Sequence, residues 1–309
     1  MTEIESGDIE NQESFDVERW RIENPPDYFK AAKLLMQFDT GVASDTAFKA
    51  IFQIYKLYIP DKLFKYQSLG LDSRVDELRF ETLRNNRIYT SPIQDLNDPF
   101  DSYCYFYNAG EIGRTLGIEN SEVEDIFGIF RKSRVAALTA IGEQSMPMWA
   151  HYANNHQGFC VEYDMTNQNN ALFKSFLFPV QYSEKRINLT SFLLNKTCEE
   201  VERALLGFNA GKQEVRINDK SFVYIPLLLA NIKHPSWSYE KEFRCIIPEN
   251  SPIAPYIDAM PAAIYAGMHC AERDLTELRK ICKELNIPLF SLEMDSRDPN
   301  YRLRKHQEA

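Results

Sequence analysis

AAIYAGM (262–268), AERDLTELRKICKELN (271–286) and IPLFSLEMD (287–295) follow one another near the end of the chain, and their reading decides the fold. The first and third are short apolar runs of strand length. The middle segment puts Leu275, Leu278, Ile281, Cys282 and Leu285 on one stripe, the mark of a helix with one buried face. Strand–helix–strand of this length suits a right-handed crossover onto a single sheet.

Outward from that unit, strands are expected in LFKYQSL (63–69), RIYTSP (87–92), VAALTAI (135–141), GFCVEYD (158–164), FPVQYS (178–183) and WSYEKEFRCII (237–247). Helical periodicity covers 27–58, with a break at Gly41 and Ser44 or Asp45 as the second N-cap. It returns at 72–85, at 110–134, at 147–157 behind Pro147, and across the mostly apolar 191–232. Strands and helices do not alternate regularly. The expected class is therefore α+β: one mixed β-sheet with packed helices in a single main domain. The expected organisation is a flexible acidic tail (1–26), N-terminal helices (27–59), the main domain (60–300) and a C-terminal tail (301–309).

The 309 residues carry a formal net charge of -10, which argues against generic nucleic-acid binding, since phosphate backbones are held by Lys and Arg. Twelve glycines leave little for Gly-rich phosphate loops. The six cysteines have no CxxC spacing, so no zinc ribbon is indicated. MTEIESGDIENQESFD has no apolar signal region, and FVYIPLLLANI (222–232) is too short to span a bilayer. A reducing cytoplasm and no membrane are expected. GxSxG, GxxxxGK[ST] and HExxH are absent.

Four stretches carry candidate chemistry. Read as a strand, WSYEKEFRC (237–245) sends Trp237, Tyr239, Phe243 and Cys245 to one side and Ser238, Glu240, Glu242 and Arg244 to the other. Such a polar face ordinarily meets water. Under a pocket, the adjacent carboxylates would push one pKa up while Arg244 holds the other down, which prepares one general base. Lys233 and His234 would add positive charge. NDPFD (97–101) reads either as a rigid capped turn or as Asn97 and Asp98 facing a ligand at a strand end. In PMWAHYANNHQ, His151 and His156 are roughly 140° apart on a helix, so they do not share a metal, and Trp149 and Tyr152 suit packing or ligand stacking equally. Lys65 sits in an apolar strand, either snorkelling at an edge or facing a polar pocket.

LFKY, RIYTSPIQDLNDPFD, MWAHYANNHQGFCVEYD, VQYS, WSYEKEFR and IYAGM occur in this order. Over about residues 60–300 the chain resembles the bacterial domain-of-unknown-function family 2971. Its usual CFS-type strand appears here as ALTAIGE, with Ala137 in place of the cysteine. The resemblance implies one shared site rather than scattered packing residues. It draws Asn97, Asp98, Trp149, His151, Tyr152, His156, Glu240, Glu242 and Arg244 into that site. For an enzyme, the candidate catalytic groups are Glu240, Glu242 and His151, and Lys65, Tyr66 and Tyr89 join Asn97, Asp98, Trp149, Tyr152, His156 and Arg244 as candidate ligand-binding groups.

The element order LFKY, RIYTSP–NDPFD, WSYEKEFR is similar to that of ADP-ribosyltransferase-like domains. On that analogy the chain is an enzyme for a nucleotide-type substrate. It would transfer ADP-ribose or cleave the glycosidic bond of NAD in a bacterial stress or phage-defence setting, with NAD as substrate and no permanently bound cofactor. A glutamate would orient the acceptor or stabilise an oxocarbenium-like transition state, Trp149 or Tyr152 would stack on the base, and Arg244 or Lys65 would bind phosphate. The alternatives are a non-catalytic sensor or interaction module, with a protein partner at 27–59, and a metal-dependent nuclease built on Asp98, Asp101, Glu240 and Glu242.

Overall fold

Nine strands build the main sheet of the computed structural model, which describes residues 15–37, 41–128, 133–214 and 220–308. They are β1 (Lys62–Gln67), β2 (Ser91–Pro92), β3 (Ser133–Thr139), β4 (Phe159–Asp164), β5 (Leu177–Pro179), β6 (Glu242–Pro248), β7 (Pro261–Ala266), β8 (Leu289–Met294) and β9 (Leu303–Gln307). The order across the sheet is β9-β8-β7-β4-β1-β3-β6-β5, with β2 paired to β3. Only β7 and β8 run parallel, with Ile264 opposite Leu289, and the helix Glu272–Leu285 connects them. The strand–helix–strand unit is therefore present, and left-handed Asn286 ends its helix. With every other pairing within this sheet antiparallel, the fold is the expected mixed-sheet α+β class.

One face of the sheet buries Leu63, Leu138, Val161, Phe243, Cys245 and Ile264 against the helices Ser73–Arg84 and Glu272–Leu285. The other face carries two separate cores. Over β3 and β6, Val135, Ile246 and Phe178 pack with Tyr28, Leu35, Tyr55 and Leu228. Over β1 and β7, Phe64, Tyr66 and Tyr265 pack with Met148 and Trp149 of the helix Met146–Tyr152. The helices Tyr28–Leu35 and Gly41–Lys56 thus spend their apolar stripe on the main domain and do not form a separate unit.

The sheet is split where the two cores separate. β1 meets β4 at six paired positions, but it meets β3 at one, Phe64 opposite Thr139. Beyond that position the strands part, and the Lys65 side chain crosses the opening to donate to the Ala137 carbonyl at 3.2 Å.

Several expectations are corrected. WSYE is not strand: Pro235–Glu240 is a 3-10 turn, Lys241 has φ 45°, and β6 starts only at Glu242. Pro235 has no N–H to give a ladder, and the left-handed Lys241 redirects the chain into the sheet. As a central strand, β6 is buried on both faces, so its polar face does not meet water. Within the expected acidic tail, Val17–Glu23 is a helix capped by Asp16, with Trp20 against Tyr58 and Arg21 donating to the Leu57 and Ile59 carbonyls. Residues 1–14 lie outside the described residues. The expected C-terminal tail contributes an edge strand, β9. The apolar 191–232 stretch is two helices, Thr190–Asn209 and Ser221–Leu229, the second followed by the short strand Ile232–Lys233. Among the described residues, no helix is long and apolar enough to cross a membrane.

The turn after Met146–Tyr152 runs through three left-handed residues, Asn154, Asn155 and His156. It seats Gly158 directly on β1: a Cβ there would lie 1.9 Å from the Gln67 carbonyl oxygen. Gly158→Ala must push two backbones apart, an overpacking cost on the order of 3 kcal/mol. Urea unfolding should show it as a lower midpoint at unchanged slope. An unchanged midpoint would mean that the turn does not rest on β1.

Candidate active site

A cavity of about 200 Å³ lies over the split in the sheet. Lys65 and Tyr66 of β1 form one wall, Ala137 and Thr139 of β3 the other, and Glu240 and Glu242 the floor. Asn97 and Tyr152 stand at the rim. Segments from five parts of the chain meet here because β1, β3 and β6 are sheet neighbours near the split, while the turn at 97–101 and the helix Met146–Tyr152 pack onto the same face.

The floor is a buried charge network. Lys233 Nζ lies 2.8 Å from Glu240 Oε2 and 3.0 Å from Glu242 Oε2, with Asp101 Oδ2 at 4.0 Å. The ammonium also rests over the Trp237 ring, 4.7 Å from its centroid. Beneath it, Arg244 Nε donates to Glu242 Oε1 at 2.8 Å, one terminal nitrogen donates to the Ala230 carbonyl at 2.7 Å, and the other bonds Asp101 Oδ1. Arg244 faces Ala137 across the strand pair, and that small side chain leaves room for the guanidinium. At the rim, the Tyr152 hydroxyl accepts from Asn97 Nδ2 at 2.9 Å and donates to Glu240 Oε1.

The two glutamates are driven in opposite directions. Burial opposes the charge on Glu242, but Arg244 and Lys233 outweigh it and pull its pKa down to about 2. For Glu240, burial and the nearby Glu242 carboxylate raise the pKa more than Lys233 and Tyr152 lower it. Burial likewise raises Asp101 against the pull of Arg244 and Lys233. Burial works against Lys233 too, yet Glu242, Asp101 and Glu240 keep its pKa raised. One ammonium cannot fully compensate two carboxylates: Lys233 and Arg244 hold Glu242 ionised, and Glu240 is the carboxylate whose proton affinity is raised. Among apolar strands, burial lowers Lys65 to about 8.

Linkage gives these shifts a pH signature. The folded pKa of Glu242 is depressed, so its stability contribution is present above about 4.5 and is lost as pH falls toward about 2. Glu240 and Asp101 have raised values, so protonating them favours the folded state. Relative to the wild type, Glu242→Gln should lose less melting temperature as pH falls through that window. Parallel melting curves would rule out this assignment.

Six expected residues line the one cavity: Lys65, Tyr66, Asn97, Tyr152, Glu240 and Glu242. The Tyr66 hydroxyl is already spent on the Gly142 carbonyl at 2.5 Å. Arg244 is fully buried below the floor, which corrects its expected contact with a ligand: its donors are taken by Glu242, Asp101 and Ala230. Trp149 is fully buried with its indole N–H on the Glu143 carbonyl at 2.7 Å, so it packs rather than stacks on a ligand. His151 is exposed beside Tyr239 and Tyr152 and does not line the cavity. His156 lies in the left-handed turn, stacked on Trp149. Asp98 caps its turn by accepting from Phe100 N at 2.9 Å, and Tyr89 stands at a different hollow.

Sequence reasoning left Lys233 as a nearby charge and Asp101 only as a metal ligand. Both are integral to the network, and Lys233 stands where the three carboxylates would meet a cation. Among the described residues, no group of three or more His, Cys, Asp or Glu could hold a metal ion.

Residues 148–245 match the family model described as Protein of unknown function (DUF2971). The matched segment contains Tyr152, Lys233, Glu240, Glu242 and Arg244. No curated protein and no solved structure matches the chain.

Proposed function

We propose that the chain is an enzyme that breaks the N-glycosidic bond of a nucleotide-type substrate, with NAD as that substrate, and passes the ADP-ribosyl group to water or another acceptor. The observation that carries this reading is the pair of buried glutamates with opposed proton affinities at the floor of a cavity in a split sheet. The ribose C1′–N bond breaks and the nicotinamide leaves with the bonding electrons. The acceptor oxygen then forms the new C1′–O bond, and Glu240 takes its proton. Glu242, held ionised, supplies fixed negative charge toward the oxocarbenium-like centre. Lys65, at the cavity wall, meets the substrate phosphate.

The order of elements supports the analogy with ADP-ribosyltransferase-like domains: a first strand with Lys65, a strand–turn with Asn97, and a late turn and strand that carry Glu240 and Glu242 respectively. The six free thiols support a reducing, cytoplasmic setting. A second reading, a non-catalytic ligand sensor, is favoured by Glu240 itself, because both its oxygens already hold protein partners.

Incubation with NAD, with and without cell lysate, tests the proposal by nicotinamide release and by labelled ADP-ribose transfer. Activity in the wild type that disappears in Glu240→Gln is expected. Tight nucleotide binding without release would favour the sensor. Absence of release, transfer and nucleotide binding would end both readings.

A further inference from the structure

A second hollow, of about 530 Å³, opens onto the same split in the sheet, between the helix Ser73–Arg84 and strands β1 and β4. It shares Lys65 and Ser91 with the catalytic cavity. Its size is that of a small-molecule site. Leu83 and Val161 make an apolar wall, while Tyr89 and Tyr256 stand side by side with ring centroids 5.5 Å apart. Two guanidinium groups line it as well. Arg79 has Asp76 at 3.2 Å and Arg87 has Asp258 at 3.2 Å, and neither ion pair is bidentate. An apolar slot beside tyrosine rings suits a flat heterocycle, and paired guanidiniums suit phosphate oxygens.

We propose that this hollow takes the nucleoside diphosphate part of the substrate. Its base packs against the tyrosines and its phosphates meet Arg79 and Arg87. The substrate then passes through the gap between β1 and β3, with Lys65 at the waist and the scissile bond over Glu240. The arrangement gives a role to a lysine that lines both hollows and that spans the opening between β1 and β3, short of the point where β2 takes over the β3 edge with Ser91 opposite Val135. It rests on the nucleotide reading and adds the location and chemistry of the second half of the site.

Calorimetric titration of the full chain with ADP is the test, on wild type, Leu78→Trp and Arg87→Ala. Leu78 and Arg87 are both about half exposed, so both variants should fold, as melting curves would show. Leu78→Trp fills the hollow from its helix, and Arg87→Ala removes one phosphate contact. Each should weaken ADP roughly tenfold or more. ADP binding that is equal in all three proteins would overturn the second-hollow assignment and leave the nucleotide reading standing. No ADP binding to the wild type would overturn both.

Discussion

Replacing Arg244 by Met is expected to lower the unfolding free energy by about 3–5 kcal/mol, the cost of leaving buried carboxylates without their partner. The guanidinium is fully buried, and Glu242 and Asp101 both lean on it. Without it, Lys233 alone must answer three carboxylates. A loss of this size is a large fraction of the stability of an ordinary domain, about 5–15 kcal/mol. Urea unfolding would measure it. Combining Arg244→Met with Asp101→Asn and Glu242→Gln should recover part of the loss, because neutral groups no longer need the cation. A single-variant loss below about 1 kcal/mol would place Arg244 among the solvated ion pairs of the surface, contrary to the geometry.

The sequence showed what is local and concealed what is tertiary. The final strand–helix–strand was legible because the stripe of Leu278, Ile281 and Cys282 and the apolar runs on either side each state their own periodicity. The convergence of Glu240 and Glu242 was foreseen from a strand alternation that does not exist: a 3-10 turn and a left-handed Lys241 carry Glu240 to the floor instead. Arg244 was legible as polar on β6 but not as buried, because its partner Asp101 lies 143 residues away and no short-range pattern marks the pair. Lys233 carried only a weak signal, a lone cation after an apolar run, and its burial depends on β6 and the turn at Asp101 closing over it. Trp149 and His156 look functional because unusual residues gather in one short stretch, 147–157. The physical demand on them is a tight turn against β1, with Gly158 at the crossing.

Glu240→Gln is expected to cut turnover on the order of 10²- to 10⁴-fold, the range for loss of a positioned general base, with little change in melting temperature. The amide keeps the volume and can still accept from Lys233, so the network survives while the proton acceptor is gone. If Glu240 acts only in the transition state, kcat and kcat/KM fall together; a rise in KM alone would make it a binding group. The wild-type rate should climb with pH as Glu240 ionises, from a pKa raised above the ordinary carboxylate value. Tyr152 donates to Glu240 and lowers that pKa. Tyr152→Phe should therefore move the ascending limb of the pH–rate profile to higher pH, whereas a merely structural tyrosine would lower the plateau without moving the limb. An unmoved limb, with Glu240→Gln still active, would remove Glu240 from the chemistry and leave the buried glutamate pair as a structural device.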